Sequence, residues 1–344
     1  MTVADAVRLR RSDLSGEGIR RRRCGRGFRY LGPGAKIIKD PQVRDRIAAL
    51  VIPPAWEDVW ICPDPRGHIQ AMGTDAAGRR QYRYHDQWRV QRDRRKHDRM
   101  LEFGAALPHL RDVIRRHLDI RGLTRERVLA AAVRLIDLGF FRPGGEEYAE
   151  ENGTFGLATI RREHVTLSQG QLVFDYTAKG DKHREQAVAE DQVCAVVRSL
   201  KRRRGGGDQL LVYRSGPRWH DVTAADINDY LREAAGGEFT AKDFRTWHAT
   251  VLAAVGLAVS EPAASSDRTR QRAVARVVQE VASYLGNTPV VARASYIDPR
   301  LIELYERGTT IASALKDLGR DRDFGELATG GHAERAVLKL LARR

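Results

Sequence analysis

The chain has 344 residues, with 60 lysines and arginines against 45 aspartates and glutamates, a formal net charge of +15. This length exceeds one average domain and suffices for two with their own cores, and the charge favours a polyanionic partner, a nucleic acid ahead of an anionic membrane surface. Three scattered cysteines, Cys24, Cys62 and Cys194, fit neither a disulfide framework nor a paired CxxC metal site and point to a reducing, cytoplasmic compartment; no apolar run reaches membrane-spanning length, and Met1 to Leu14 lacks a signal-peptide core.

Residues 1–27 are rich in arginine, densest at Arg20-Arg21-Arg22-Arg23, and show no apolar period, which predicts a basic flexible arm. Residues 28–98 read as a small antiparallel-sheet domain. Val59-Trp60-Ile61-Cys62 and His68-Ile69-Gln70-Ala71-Met72 have strand character, with turn chemistry at Pro63-Asp64-Pro65-Arg66-Gly67 between them. Gln81-Tyr82-Arg83-Tyr84 alternates polar and aromatic residues, so Tyr82 and Tyr84 share one face of a strand. Aromatics among arginines suit base stacking and phosphate contact, and equally suit a pair of half-buried sheet tyrosines. The charged run Arg89 to Arg99 follows.

Residues 104–344 form a larger, mainly helical domain with a short sheet. Val128, Leu129, Ala132, Leu135 and Ile136 mark a helix over 124–138. The pattern switches to period two at Val165-Leu167 and Leu172-Phe174-Tyr176, turned by Ser168-Gln169-Gly170-Gln171, and a second turn at Lys179-Gly180-Asp181-Lys182 puts Lys179 at a hairpin tip. Further helices carry Val193, Val196, Val197 and Leu200; Ile227, Tyr230 and Leu231 after a Thr223/Asp226 cap and before Gly236; Arg245 in an early turn after Thr240 and Asp243; and Val274, Val277, Val278, Val281 and Leu285, stopped by Gly286. Asp298-Pro299 opens another, and Ala333 to Leu341 has a helical pattern that would pack on the core or bind a partner.

Several residues would together suit attack on a phosphodiester. Charge grows on the nonbridging oxygens as a nucleophile arrives, so fixed cations and donors must wait there. Arg142, in Gly139-Phe140-Phe141-Arg142-Pro143-Gly144, and Arg245, in Lys242-Asp243-Phe244-Arg245-Thr246, offer planar charged forks beside apolar anchors. Lys179 among other cations can protonate a leaving oxygen. Asn287, in Gly286-Asn287-Thr288-Pro289, is a neutral donor, and Tyr296 supplies an oxygen nucleophile if nearby cations favour its phenolate. Taken singly, each has a plainer reading: a surface salt bridge, a hairpin lysine, a packed aromatic.

In order and spacing these segments resemble the type IB DNA topoisomerases, specifically the small poxvirus-like enzymes found in bacteria. The resemblance runs from about Phe28 to Tyr305 through Gly78-Arg79-Arg80-Gln81-Tyr82 with Tyr84; Phe140-Phe141-Arg142; Tyr148, Glu151-Asn152, Thr154, Gly156-Leu157 and Thr159; Ala178-Lys179; Lys242-Asp243-Phe244-Arg245-Thr246; Gly286-Asn287-Thr288-Pro289; and Ala294-Ser295-Tyr296. It implies an α+β protein whose catalytic domain is of the type IB topoisomerase/tyrosine recombinase type. It further implies Tyr296 as nucleophile forming a 3′-phosphotyrosyl bond; Arg142, Arg245 and Asn287 on the scissile phosphate; Lys179 as acid; and Arg80, Gln81, Tyr82 and Tyr84 on DNA. The expected partner is double-stranded DNA, clamped by a monomer associated with the nucleoid, with no cofactor, ATP or metal and no membrane.

One departure stands out: poxvirus members and related recombinases usually have histidine where this chain has Asn287, which keeps a neutral donor but no cationic contribution. A tyrosine site-specific recombinase is the nearest rival, but recombinases typically carry His-x-x-Arg at the second arginine, where this chain has Lys242 in the histidine's place. A non-catalytic DNA-binding protein would suit the basic arm and Tyr82/Tyr84 but leaves five chemically competent positions unexplained. No P-loop or HExxH helix is present, and Glu146-Glu147 and Glu150-Glu151 read as a solvated face before a Mg²⁺ site.

Overall fold

Arg20-Arg21-Arg22-Arg23 lies in a β-strand, where a flexible arm was expected. In the computed structural model, which describes residues 8–139, 141–144, 153–261, 266–317 and 331–342, strand β1 (Ile19–Cys24) pairs with β2 (Gly27–Leu31) on one side and β3 (Glu57–Ile61) on the other. Ile19 alone in β1 is buried, which is why no apolar period announces the strand. Arg21 turns inward, donates to the main-chain carbonyls of Ile52 and Pro53, and lies 4.1 Å over the Phe28 ring. Its guanidinium thus does the satisfying work of a polar core residue. Residues 8–18 are also tied down. Arg10 bridges to Gly67, the Ser12 hydroxyl donates to the Ile69 carbonyl at 2.9 Å, and the Trp60 indole donates to the Gly16 carbonyl at 3.2 Å.

The chain divides into two compact units, Met1–His97 and Asp98–Arg344. The first is an antiparallel five-stranded sheet in the order β2-β1-β3-β4-β5, with β4 at Ile69–Thr74 and β5 at Arg80–Tyr84 on the edge. Helix α1 (Pro41–Ala49), capped by the Asp40 side chain, packs Ile47 against Ile19, Val59, Ile61 and Ala71.

Helix α2 (Asp86–Leu118) covers the charged run that sequence left without structure, and the unit boundary falls inside it. Its buried apolar stripe (Met100, Phe103, Leu107, Leu110, Ile114, Leu118) begins only at residue 100, one turn after the buried His97. The preceding turns expose helix-forming charged residues on nearly every face, so periodicity gives no signal there.

In the second unit α3 (Arg125–Gly139) is the central element, buried on most of its circumference. Strands β6 (Val165–Ser168), β7 (Gln171–Ala178) and β8 (Lys182–Val188) form a three-stranded antiparallel sheet, its first turn taken by Gln169 and Gly170 at φ 49° and 82°. Helix α4 (Asp191–Arg202) follows, then a hairpin β9 (Val212–Ser215) and β10 (Arg218–Asp221) that has no counterpart among the expected elements. Helices α5 (Ala224–Ala235), α6 (Ala241–Ser260) and α7 (Asp267–Leu285) are capped at their N-termini by Thr223, Thr240 and Ser266, and Gly236 and Gly286 close α5 and α7 in the left-handed region. Short helices α8 (Pro289–Ser295), α9 (Pro299–Glu306, capped by Asp298) and α10 (Ala312–Asp317) precede α11 (His332–Ala342).

Helix α11 packs on the core through Ala333, Val337, Leu340 and Leu341, and a buried charge network fastens it. Asp137 of α3 receives two hydrogen bonds of 2.9 Å from Arg111 and one of 3.1 Å from His248; Arg111 also donates to Glu334 of α11, which accepts from the Trp247 indole at 2.9 Å. Phe140, Tyr148, Glu151, Asn152 and the acidic pair residues Glu146, Glu147 and Glu150 lie outside the described residues.

Candidate active site

Arg142 leaves the end of α3 directly after Phe141, which is 1% exposed and packs its ring on Phe174 and Tyr176 of β7. Its carbonyl accepts from Leu157, and that of Pro143 accepts from Ala158. Gly144 and Gly156 touch backbone to backbone, so closely that a Cβ on Gly156 would lie 2.3 Å from the Gly144 Cα. Gly144 and Gly156 are therefore a packing requirement where the segment after Arg142 meets the Gly156-Leu157-Ala158 turn.

The β7–β8 hairpin places Lys179 at its tip, where Gly180 and Asp181 take φ 79° and 55°. Lys179 lines a pocket with Arg142, Tyr176, Lys182, Arg184 and Gly286. Lys182 and Arg184 of β8 stand opposite Ala178 and Tyr176 in the register, on the face of β7 that is buried.

Arg245 is 4% exposed in the second turn of α6, anchored by Phe244 against Phe103. It donates to the Leu285 carbonyl at 2.8 Å. Burial first, then the neighbouring Arg142 charge, pushes its guanidinium down to about 10, against a hydrogen bond and attraction from Tyr296. It remains charged at neutral pH in a setting that disfavours charge. The Tyr296 ring lies 5.5 Å from the Arg245 guanidinium carbon. The main chain at Tyr296 is fixed too. Its N–H donates to Ala292, its carbonyl accepts from Thr250 of α6 at 3.1 Å, and the next turn's Asp298 N–H donates to the same Thr250 hydroxyl at 3.3 Å.

Asn287 follows the left-handed Gly286, whose N–H and that of Asn287 cap the last carbonyls of α7. Arg142 donates to Asn287 Oδ1 at 3.0 Å. A guanidinium can only donate, so this contact fixes which end of the amide is oxygen. Asn287 Nδ2 then points away, buried and without a hydrogen-bond partner among the described residues. Such an orphan donor is costly unless something accepts from it.

The five residues singled out in sequence thus come together: Arg142 bonded to Asn287, Arg245 against the Tyr296 ring, and Lys179 on the pocket that Arg142 and Gly286 line. Sequence reasoning missed Lys182, Arg184 and Tyr176. Lys182 donates to the Gly286 carbonyl at 3.0 Å, and Arg184 donates to the Tyr284 carbonyl at 3.3 and 3.4 Å. Burial holds the Tyr176 phenol up, in its neutral form, despite the pull of Arg184, Arg142 and Arg245. The signal was present: Lys182 and Arg184 alternate on the strand that leaves the Lys179 turn. Among the described residues no carboxylate pairs with Arg142, Lys182 or Arg184. The cluster is a cationic cradle with spare donors, suited to an oxyanion.

In the N-terminal unit, Tyr82 and Tyr84 do share a face of the edge strand, ring centroids 6.1 Å apart, and the Arg92 guanidinium lies 5.5 Å over Tyr84. Arg80, exposed, alternates onto the same side as Tyr82. Gln81 does not join them: it falls on the opposite face and donates its amide to Asp75 at 2.9 Å.

Most of the sequence is matched by known proteins. Residues 85–318 match the family described as eukaryotic DNA topoisomerase I, catalytic core, and residues 27–75 match bacterial DNA topoisomerase IB, N-terminal domain. DNA topoisomerase 1B of Acanthamoeba polyphaga mimivirus is 30% identical over 298 residues, covering 84% of this chain and 88% of its own length. The vaccinia virus (strain Copenhagen) DNA topoisomerase 1B is 18% identical over 79% of this chain and 82% of the viral protein. DNA topoisomerase 1 of Candidozyma auris is 34% identical over 37% of this chain, a stretch that is 16% of the yeast protein. With a catalytic-core family spanning more than half its length, a bacterial-type N-terminal domain before it and a viral relative alike nearly end to end, this chain belongs to the type IB DNA topoisomerases, isomerases that act on DNA.

Proposed function

We propose that the enzyme relaxes supercoiled duplex DNA by transient single-strand cleavage through a 3′-phosphotyrosyl intermediate, strand rotation and religation, with neither ATP nor a metal ion. The observation that carries this reading is the Tyr296 ring 5.5 Å from the buried Arg245 guanidinium, beside a cationic cluster and the orphan amide nitrogen of Asn287. Tyr296 Oη loses its proton to water and attacks phosphorus; the P–O5′ bond breaks, and Lys179 gives the leaving 5′-oxygen its proton. Arg245 favours the phenolate as it forms and, with Arg142 and the free N–H₂ of Asn287, meets the charge growing on the nonbridging oxygens. One preorganised donor of this kind is worth about 10²–10³ in rate. The new phosphodiester conserves the energy of the old one, so the 5′-hydroxyl reverses the attack after the strand has turned.

One copy acts on one duplex in the cytoplasm, at the nucleoid, closing on it as a clamp. The N-terminal unit contributes Arg80, Tyr82 and Tyr84 as duplex contacts, and Gln81 holds the turn before them through Asp75. The test is incubation with supercoiled plasmid in EDTA, quenched with denaturant. Relaxation with a covalent protein–DNA adduct through Tyr296 is expected. Relaxation that requires added metal, or the absence of any adduct, would remove the proposal.

A further inference from the structure

Two residues outside the five named above join the parts of the site. The general acid of the proposed reaction sits on the β7–β8 hairpin, whereas Asn287 sits on the turn that ends α7. These segments are far apart in sequence and carry no backbone hydrogen bonds to each other among those described. What spans them is a pair of side chains from β8. Lys182 donates to the Gly286 carbonyl at 3.0 Å, and both terminal nitrogens of Arg184 reach the Tyr284 carbonyl. The guanidinium lies close over this turn: a Cβ on Gly286 would sit 2.7 Å from Arg184 Nη2 and push it aside. Gly286 itself is demanded by its left-handed φ of 62°.

Resting on the phosphodiester-cleavage reading, we propose that Arg184, seconded by Lys182, is a positioning residue: it braces the Gly286–Asn287 turn against the Lys179 hairpin, so that the amide of Asn287 and the ammonium of Lys179 meet the same phosphate in register. The physical argument is one of satisfaction and alternatives. The carbonyls of Tyr284 and Gly286 belong to the last turn of α7 and its cap, where orphan acceptors need donors from elsewhere. Arginine and lysine at a helix C-terminus also suit the negative end of its dipole. Arg184 faces no described carboxylate that would claim it instead. The neighbouring Arg142 holds Asn287 from the other side, at 3.0 Å, so the turn is gripped from two directions. If Arg184 acts through Asn287, then removing it matters only while Asn287 has a function to lose.

That is a double-mutant cycle. Single-turnover cleavage of a nicking duplex substrate would be measured for the full-length wild type, Arg184→Ala, Asn287→Ala and the double variant. Arg184→Ala should slow cleavage about tenfold, and the double variant should be no more than about twofold slower than Asn287→Ala alone, a coupling of the size contacting residues show. Costs that multiply independently would overturn the brace. Duplex affinity, measured across a salt series in a Tyr296→Phe background, should keep its slope when Arg184 is removed. A slope reduced by about one phosphate equivalent would overturn the brace by making Arg184 a direct DNA contact. If Arg184→Ala does not fold, Arg184→Lys, which keeps one donor for the Tyr284 carbonyl, carries the same cycle with a smaller first step. A wild-type chain that forms no adduct removes both the cleavage reading and the brace; normal wild-type cleavage with independent costs removes the brace alone.

Discussion

The guanidinium carbon of Arg245 lies 5.5 Å from the centroid of the Tyr296 ring. The pair shares a support, because Arg245 projects from α6 and the Tyr296 carbonyl is bonded to Thr250 of the same helix. Arg245→Ala should therefore slow strand cleavage by about 10²–10³, and Tyr296→Phe should abolish it. Both should leave duplex affinity within a few-fold of wild type, since a side chain 4% exposed adds little to first encounter. Single-turnover cleavage beside gel-shift titration separates the two effects; residual cleavage by Tyr296→Phe would exclude that residue as the nucleophile.

Asn287 faces a partner that can only donate, so whatever replaces it must accept from Arg142. Neutral imidazole can do this and still donate from its other nitrogen; imidazolium cannot. Asn287→His should support cleavage at pH 8 and lose it as the ring protonates, below its ordinary value near ~6.5 and lower still beside Arg142. Wild type has no such group here and should lack that step. Parallel rate profiles from pH 5 to 8.5 would contradict this.

Lys179 is tested by changing what leaves. Lys179→Ala should slow cleavage about 10²–10⁴-fold for an ordinary 5′-oxygen, the range of general acid catalysis, and far less for a 5′-bridging sulfur, which departs without a proton. Equal slowing of both substrates would assign Lys179 to phosphate binding alone.

The segments around Arg142, Lys179, Arg245 and Asn287, and Tyr296, were legible as candidates because each is short, local and chemically unusual. Capping boxes at Thr223 and Thr240 and the glycine stops at Gly236 and Gly286 were also legible, since each depends on a few neighbours in the chain. What sequence hid depends on distant partners. Strand β1 is held by the sheet on both sides and by Arg21 turning inward, so its four arginines looked solvated. The first turns of α2 bury almost nothing, and a helix without a buried face has no period to read. Lys182 and Arg184 acquire meaning only when the cap of α7 is brought to β8.

Asp137 offers a stability test away from the chemistry. Burial alone would raise its carboxyl, but the His248 hydrogen bond and the Arg111 charge overcome this and hold it well below the usual range. A carboxylate depressed in the folded state contributes stability above its unfolded value near ~3.9 and loses it as pH falls through the folded value. Asp137→Asn should cost about 3–5 kcal/mol at pH 7, the usual result of leaving buried cations short of a partner. The difference from wild type should shrink as pH falls below about 4. Urea unfolding at pH 7 and pH 3 measures both; a difference that does not depend on pH would contradict the assignment.

Thr250 also bears on mechanics. A broken strand joined to Tyr296 would hang from a residue whose own carbonyl is moored to the helix that carries Arg245. Torque from a swivelling duplex then finds no slack tether to stretch. On the proposed mechanism it would load the same helix that carries Arg245, which would help keep the severed ends aligned for resealing.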